Sequence, residues 1–350
     1  MALFFAAGPL PGIRPVITSV SFIWQFEHSI SQSPSGLKYI ICKMSFPSCK
    51  VLSMTQNNGL AQIDTAIHLG TFQSGSKEWH DLRNQGIGGS LVGTVAGLNK
   101  WESCFTAWAK YTGKIEREIP DSPGMEWGRR LESVVLEKFK DSHPELEVID
   151  EVGTWQNKER TYQIANPDGI ATDQFGNLSV IEIKTARFPD DWEKGVPLHY
   201  LTQVQWYLSC LGIQMAHVAV LIGGSDYREF QIEADTFQQK ADIHLVEKFL
   251  MAVKFDQAPD WEGSTSTYET VRRINPNIQD RDSELGELGA ELLAAMEKEN
   301  TAKEAALSLK SQVLDKMGSA KRGMVNDQHV FSRQSRGTGA PFLVTKKGQQ

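Results

Sequence analysis

Residues 161–186 constrain this chain more than any other stretch. Two strand-like runs, 161–173 and 177–186, flank the turn Gln174-Phe175-Gly176-Asn177. Side chains alternate along a strand, so Val180, Glu182 and Lys184 share one face while Ile181 and Ile183 point into a core on the other. Pairing across the turn sets Asp168 opposite Glu182 or Ile183. Two carboxylates fourteen positions apart and one ammonium then meet at one place. Two oxygen ligands with water in the remaining positions suit Mg²⁺ or Mn²⁺ and not a closed zinc site. Such an ion polarises a phosphate and acidifies bound water. Lys184 is placed to orient that water or, with a depressed pKa, to take its proton. The plainer alternatives are a surface salt bridge between Glu182 and Lys184, and a turn role for Asp168 within Pro167-Asp168-Gly169.

The neighbouring segments supply candidates for the rest of a phosphodiester-cleaving site. The run from Met125 reads as a helix that ends before Pro144. Glu126, Arg130, Ser133, Glu137 and Lys140 make its polar stripe. Glu132 lies off that stripe, on a flank shared with Gly128, Val135, Leu136 and Phe139. It is expected to be at least half-buried, as a third acid or as half of a structural ion pair. The segment 199–212 reads as a helix stopped by Gly212, with Tyr200, Gln203 and Tyr207 on one face. Arg83 precedes the Gly-rich stretch 84–90, and Ser90 is the expected N-cap of the next helix. An arginine beside backbone amides makes an anion site. A nucleotide-binding loop here would lack the Gly-Lys-Ser/Thr of a P-loop and the G-x-G-x-x-G spacing. Trp101, Trp108, Trp127, Trp206 and Tyr207 are expected in the core.

Further strand-like runs at 148–156, 217–224 and 227–234 interleave with these helices and with a helix at 236–254. That order implies the α/β class, a mixed sheet flanked by helices. Residues 1–53, with one acid and four basic residues, read as a poorly ordered extension or a misassigned start. The main domain is expected over 54–260, a linker over 261–282, a helical extension over 283–318 and a mobile basic tail over 319–350. No apolar run is long enough to span a bilayer. Four scattered cysteines without a CxxC pair argue for reduced thiols and a cytoplasmic location. A net charge of −7 argues against passive DNA coating but not against an enzyme with a basic channel.

Taken in order, WHDLRNQGIGGS, MEWGRRLESVVLEKF, ANPDGI, IEIKTA and YLTQVQWYL resemble the YqaJ / lambda-exonuclease branch of the PD-(D/E)xK nucleases, over roughly residues 77–260. The resemblance implies a restriction-endonuclease-like core and a 5′→3′ exonuclease on double-stranded DNA. Such an enzyme uses two Mg²⁺ per site, releases 5′-mononucleotides and leaves 3′ single-stranded tails for annealing. By motif position Glu132, Asp168, Glu182 and Lys184 are the active-site residues, the Ile183 carbonyl completes the metal shell, and Gln203 helps hold the nucleophilic water. Arg83, Gly88 and Ser90 fall on the 5′-phosphate pocket, with Tyr200 close by. Gly88 stands where lambda exonuclease carries a threonine, which removes one hydroxyl contact. The resemblance further implies a homo-oligomeric ring, a partnership with a single-strand annealing protein and, for a phage-encoded chain, action in the host cytoplasm. The alternatives are a structure-specific or restriction-type endonuclease of the same fold, and a non-catalytic DNA-binding module. A Cas4-like enzyme would need a cysteine cluster that this chain lacks.

Overall fold

The computed structural model describes residues 60, 63–72, 76–78, 82, 86–117 and 122–346, and the backbone alone of 26–32 and 38–44. The two backbone segments, β1 (Phe26–Gln32) and β2 (Lys38–Met44), pair antiparallel. The rest of the extension expected over 1–53 lies outside the described residues. The chain divides into a unit ending at Pro276 and a second starting at Asn277.

A five-stranded mixed sheet organises the first unit. Its strands are β5 (Glu147–Ile149), β8 (Gly169–Thr172), β9 (Leu178–Ala186), β10 (Met215–Ile222) and β11 (Asp226–Glu233), in the order β11-β10-β9-β8-β5. Only the β9–β10 pair is parallel. A four-stranded sheet, β3-β6-β7-β4, combines β3 (Ala66–Gly70), β4 (Ile87–Gly88), β6 (Thr154–Asn157) and β7 (Gln163–Ala165).

The central strand β9 is covered on both faces. Ile181 and Ile183 pack with Val135, Leu136 and Phe139 of helix α3 (Pro123–Ser142). Val180 faces the larger core, which holds Val204, Trp206 and Leu208 of α4 (Leu198–Leu211). Burying a Phe139-sized side chain contributes roughly 1.5–3 kcal/mol, so the α3 seam fixes the helix firmly on the sheet. Helix α3 starts where Ser122 caps the Met125 amide, with Pro123 in the first turn, and ends at Ser142, before Pro144 as expected.

Several boundaries differ from the sequence expectation. The run 148–156 is two strands in different sheets, because Gly153 at φ 69° turns the chain between β5 and β6. The run 161–173 is likewise divided, with Asn166-Pro167 separating β7 from β8. Ser90 is not an N-cap. The parallel pairing of Ile87–Gly88 with Gln163–Ile164 keeps the chain extended through Gly88, so Gly88 caps the short helix α1 (Gly89–Val95) and Ser90 lies within it.

The segment 261–282 is not a plain linker. It contains helix α6 (Thr265–Ile274), joined to α2 (Cys104–Tyr111) by buried hydroxyls: Thr106 to Thr270 at 2.7 Å and Thr267 to Ser103 at 2.8 Å. Helix α5 (Thr236–Lys254) precedes it. In the second unit α7 (Gly286–Met317) is one continuous helix. The basic tail contains regular structure over residues 322–345. It forms a three-stranded antiparallel sheet of β12 (Arg322–Val325), β13 (Gln328–Gln334) and β14 (Phe342–Thr345). Asn326 and Asp327, both at positive φ, make the two-residue turn that a tight hairpin needs. Among the described residues, no helix is long and apolar enough to cross a membrane.

Candidate active site

The hairpin β8–β9 forms in the register read from its turn. Gly169 pairs with Ile181, which sets Asp168, one residue before β8, level with Glu182. Two bonds fasten the aspartate to the strand beside it. Its amide donates to the Ile181 carbonyl at 3.2 Å, and its Oδ2 accepts from the Ile183 amide at 2.7 Å.

Glu182 is 1% exposed, the one acid on a central strand whose other buried positions are Ser179, Val180, Ile181 and Ile183. Its Oε1 accepts from the Lys184 ammonium and, at 2.5 Å, from Gln203 Nε2 of α4. Gln203 Nε2 also donates to the Tyr207 hydroxyl, 3.1 Å away and one turn along the same helix face. The Lys184 ammonium lies 5.0 Å from the centre of the Tyr200 ring. Thus α4 presents Tyr200, Gln203 and Tyr207 to the hairpin, as their spacing requires. Glu182 Oε2 is buried with no hydrogen-bond partner, a costly state for an acid oxygen.

The third acid comes from α3, which crosses β9 closely; a Cβ on Gly128 would stand 3.6 Å from Thr185 Oγ1. Glu132 is half-buried there. Burial, then the Asp168 charge, push its carboxyl up to about 7, with Lys184 pulling the other way. Burial and Asp168 also hold Glu182 well above the usual carboxylate range. Burial alone would lower the Lys184 ammonium, but Glu182 and Asp168 outweigh it and hold it above its ordinary value. The charges of Glu182 and Asp168 thus favour the ammonium form of Lys184.

Three carboxylates thus face one ammonium, and the excess negative charge is relieved by proton uptake. A divalent cation would relieve the same excess. Among the described residues, no three His, Cys, Asp or Glu side chains already surround a single cation position. The donor set nevertheless fits one: a buried acid with an orphaned oxygen, a second acid level with it, a third with a raised pKa, and oxygen donors alone.

Gly88 and Ser90 sit at the junction of β4 and α1. Helix α1 packs tightly on α4, since a Cβ on Gly89 would come within 2.8 Å of the Tyr207 ring and 2.9 Å of the Gln203 carbonyl oxygen. The candidate phosphate loop therefore abuts the helix that carries Gln203. Arg83 lies outside the described residues.

Two aromatic expectations fail. Trp101 and Trp127 are 64% and 60% exposed, whereas Trp108, Trp206 and Tyr207 are buried. His199, which the sequence did not single out, also lies at this corner. Its ring lies 4.0 Å from Tyr200 and 5.7 Å from Trp101, and its Nε2 is buried without a hydrogen-bond partner. Its position next to Tyr200 was the available signal.

Residues 78–214, which contain this whole constellation, match the family of YqaJ-like viral recombinase domains. That segment is similar to the domains of this family. An uncharacterized protein YqaJ of Bacillus subtilis (strain 168) is 30% identical over 205 residues, which cover 56% of this chain and 62% of that protein. The chain thus spans under two thirds of its relative's length. The crystal structure of an alkaline exonuclease from Laribacter hongkongensis is 20% identical, with a TM-score of 0.43, over 52% of this chain and 94% of that one. Its complex with dAMP matches 57% of this chain and 98% of that one, also with a TM-score of 0.43. The matched segment takes in α3, the β8–β9 hairpin and α4, the three elements that build the site.

Proposed function

We propose that this protein is a metal-dependent nuclease that digests double-stranded DNA from its 5′ ends, releasing 5′-mononucleotides and leaving 3′ single-stranded tails. The observation that carries this reading is the β8–β9 hairpin, which sets Asp168 level with buried Glu182 and its Lys184 partner inside the segment similar to YqaJ-like domains. Asp168, Glu182, Glu132 and the Ile183 carbonyl would hold two Mg²⁺ or Mn²⁺ ions. When bound, the ions supply Lewis-acid polarisation of a phosphate and a more acidic water. Lys184 places a positive charge beside the phosphate and orients the attacking water. Gln203, braced by Tyr207, positions that water from the α4 side. Tyr200 packs beside Lys184 and limits where its ammonium can go.

Arg83, Gly88 and Ser90 would grip the terminal 5′-phosphate. Holding the end, without reading sequence, gives stepwise removal of nucleotides. The ligand in this reading is a duplex DNA end in the cytoplasm, the host's if the chain is phage-encoded. Assembly as a homo-oligomeric ring and hand-over to a single-strand annealing protein follow from the family resemblance.

The test uses linear duplex labelled at either the 5′ or the 3′ end, with Mg²⁺ and then with chelator. Early release of 5′ label as mononucleotide, faster from 5′-phosphate than from 5′-hydroxyl ends and abolished by chelator, supports the proposal. Cleavage of covalently closed circles moves the assignment to an endonuclease of the same fold. DNA binding without turnover in any metal moves it to a binding module.

A further inference from the structure

Helix α7 contributes no buried side chain, although it is 32 residues long and carries large apolar groups. Leu288, Leu292 and Leu309 are 71%, 59% and 61% exposed. Steps of four and three recur without a break from Leu288 to Val313, passing through Ala295, Glu299, Ala302 and Ala306. That average spacing of 3.5 keeps one seam on one side of a helix, the pattern of a coiled-coil strand. Large apolar side chains left in water toward both ends of such a seam mark an interaction surface.

We propose that α7 pairs antiparallel with α7 of a second copy of this chain. Layer by layer, the antiparallel register matches side-chain size. Leu288 meets Val313, Leu292 meets Leu309, Ala295 meets Ala306, and Glu299 meets Ala302. Bulky pairs close the two ends, the Ala295–Ala306 layers allow close approach inside them, and Glu299 lies against the small Ala302 next to the dyad. Val313 is half-buried.

Charge selects the same direction. The N-terminal half carries Glu287, Glu291, Glu297 and Glu299 against Lys298, while the C-terminal half carries Lys303, Lys310 and Lys316 against Glu304 and Asp315. Antiparallel pairing sets the acidic half of one copy along the basic half of the other. In-register parallel pairing would face Glu299 with Glu299 inside the seam and Lys298 with Lys303 on its flank, and like charges so placed are destabilising. Within one copy Glu299 and Lys303 form an exposed ion pair at 2.6 Å. On pairing, both join the oppositely charged residues of the other copy about the dyad.

Because α7 lies outside the YqaJ-like segment, this proposal is independent of catalysis. Sedimentation velocity of the full chain at micromolar concentration should show an even-numbered species. Leu292→Glu or Leu309→Glu should halve its mass at equal loading. Oxidative cross-linking then reads direction. Leu288→Cys combined with Val313→Cys should give a covalent dimer above the wild-type background, and Leu288→Cys alone should not. The two positions are about 38 Å apart along one helix, so they cannot bridge within a chain. A monomeric wild type, an unchanged mass in both glutamate variants, or dimer formation by Leu288→Cys alone would each overturn the proposal.

Discussion

Two buried carboxylates in the first unit invite comparison. Glu182 on β9 and Asp242 on α5 are 1% and 0% exposed, and each keeps one oxygen without a hydrogen-bond partner. Burial raises both, Asp242 up to about 6. Their surroundings differ. Asp242 accepts from Gln238 Nε2 at 2.7 Å, and the charge that acts on it is that of Asp235. Glu182 has an ammonium on one oxygen, a positioned amide on the same oxygen, and two further acids in electrostatic reach. A buried, orphaned acid is thus not in itself a site. What sets Glu182 apart is the convergence of three elements, the hairpin, α3 and α4, on one strand position.

The largest expected contrast is in turnover. Glu182→Gln, Asp168→Asn and Lys184→Ala should each lower the initial rate of duplex digestion by about 10² or more, the scale seen when charge stabilisation of a transition state is removed. Asp242→Asn should stay within a few-fold of wild type. Equal losses in all four would erase the distinction.

Stability should show the reverse order. The Asp242 carboxyl titrates near 6 in the folded chain against 3.8 for the unfolded residue. Between those values the folded state holds the extra proton, so stability falls as pH rises through that window, and the penalty is complete above it. Asp242→Asn removes the penalty. It should stabilise the protein by about 1–2 kcal/mol at pH 8 and by less at pH 5, measured by urea unfolding at both pH values. A gain that grows toward acid would contradict the assignment.

A third contrast is local crowding. Gly89→Ala puts a Cβ within 2.9 Å of the Gln203 carbonyl oxygen, a backbone atom that cannot swing aside. A cost of about 1–3 kcal/mol is expected, as for overpacking elsewhere. Gly97→Ala meets nothing within 4 Å and sits at φ 69°, so its smaller cost would come from backbone strain alone, about 1 kcal/mol. Thermal unfolding of the two variants separates them.

The same physics explains what the sequence revealed. The hairpin was legible because alternation along 177–186 and the position of its turn leave one register that buries Ile181 and Ile183. Glu132 was legible because a helix flank shared with Val135, Leu136 and Phe139 has to face the sheet. The subdivided strands were not, since Gly153 and Asn166-Pro167 act by moving the chain to another sheet, a decision made by tertiary packing. Helix α6 was hidden because its buried face is Thr267 and Thr270, hydroxyls that read as polar until Thr106 and Ser103 pair with them. In the C-terminal sheet the signal was present, Asn326-Asp327 between alternating runs, and was masked by the basic composition around it. Exposed Trp101 and Trp127 defeat any rule that assigns tryptophan to the core, because most of a folded surface is itself apolar.

Manganese binding followed by electron paramagnetic resonance tests the central claim most directly. The wild-type chain should quench the free-ion signal to an endpoint of two ions per chain. Asp242→Asn should reproduce that endpoint, while Asp168→Asn and Glu182→Gln should lose at least one ion or weaken binding tenfold or more. A wild-type titration indistinguishable from that of Asp168→Asn, or a loss shared by Asp242→Asn, would contradict a metal centre built on the β8–β9 hairpin.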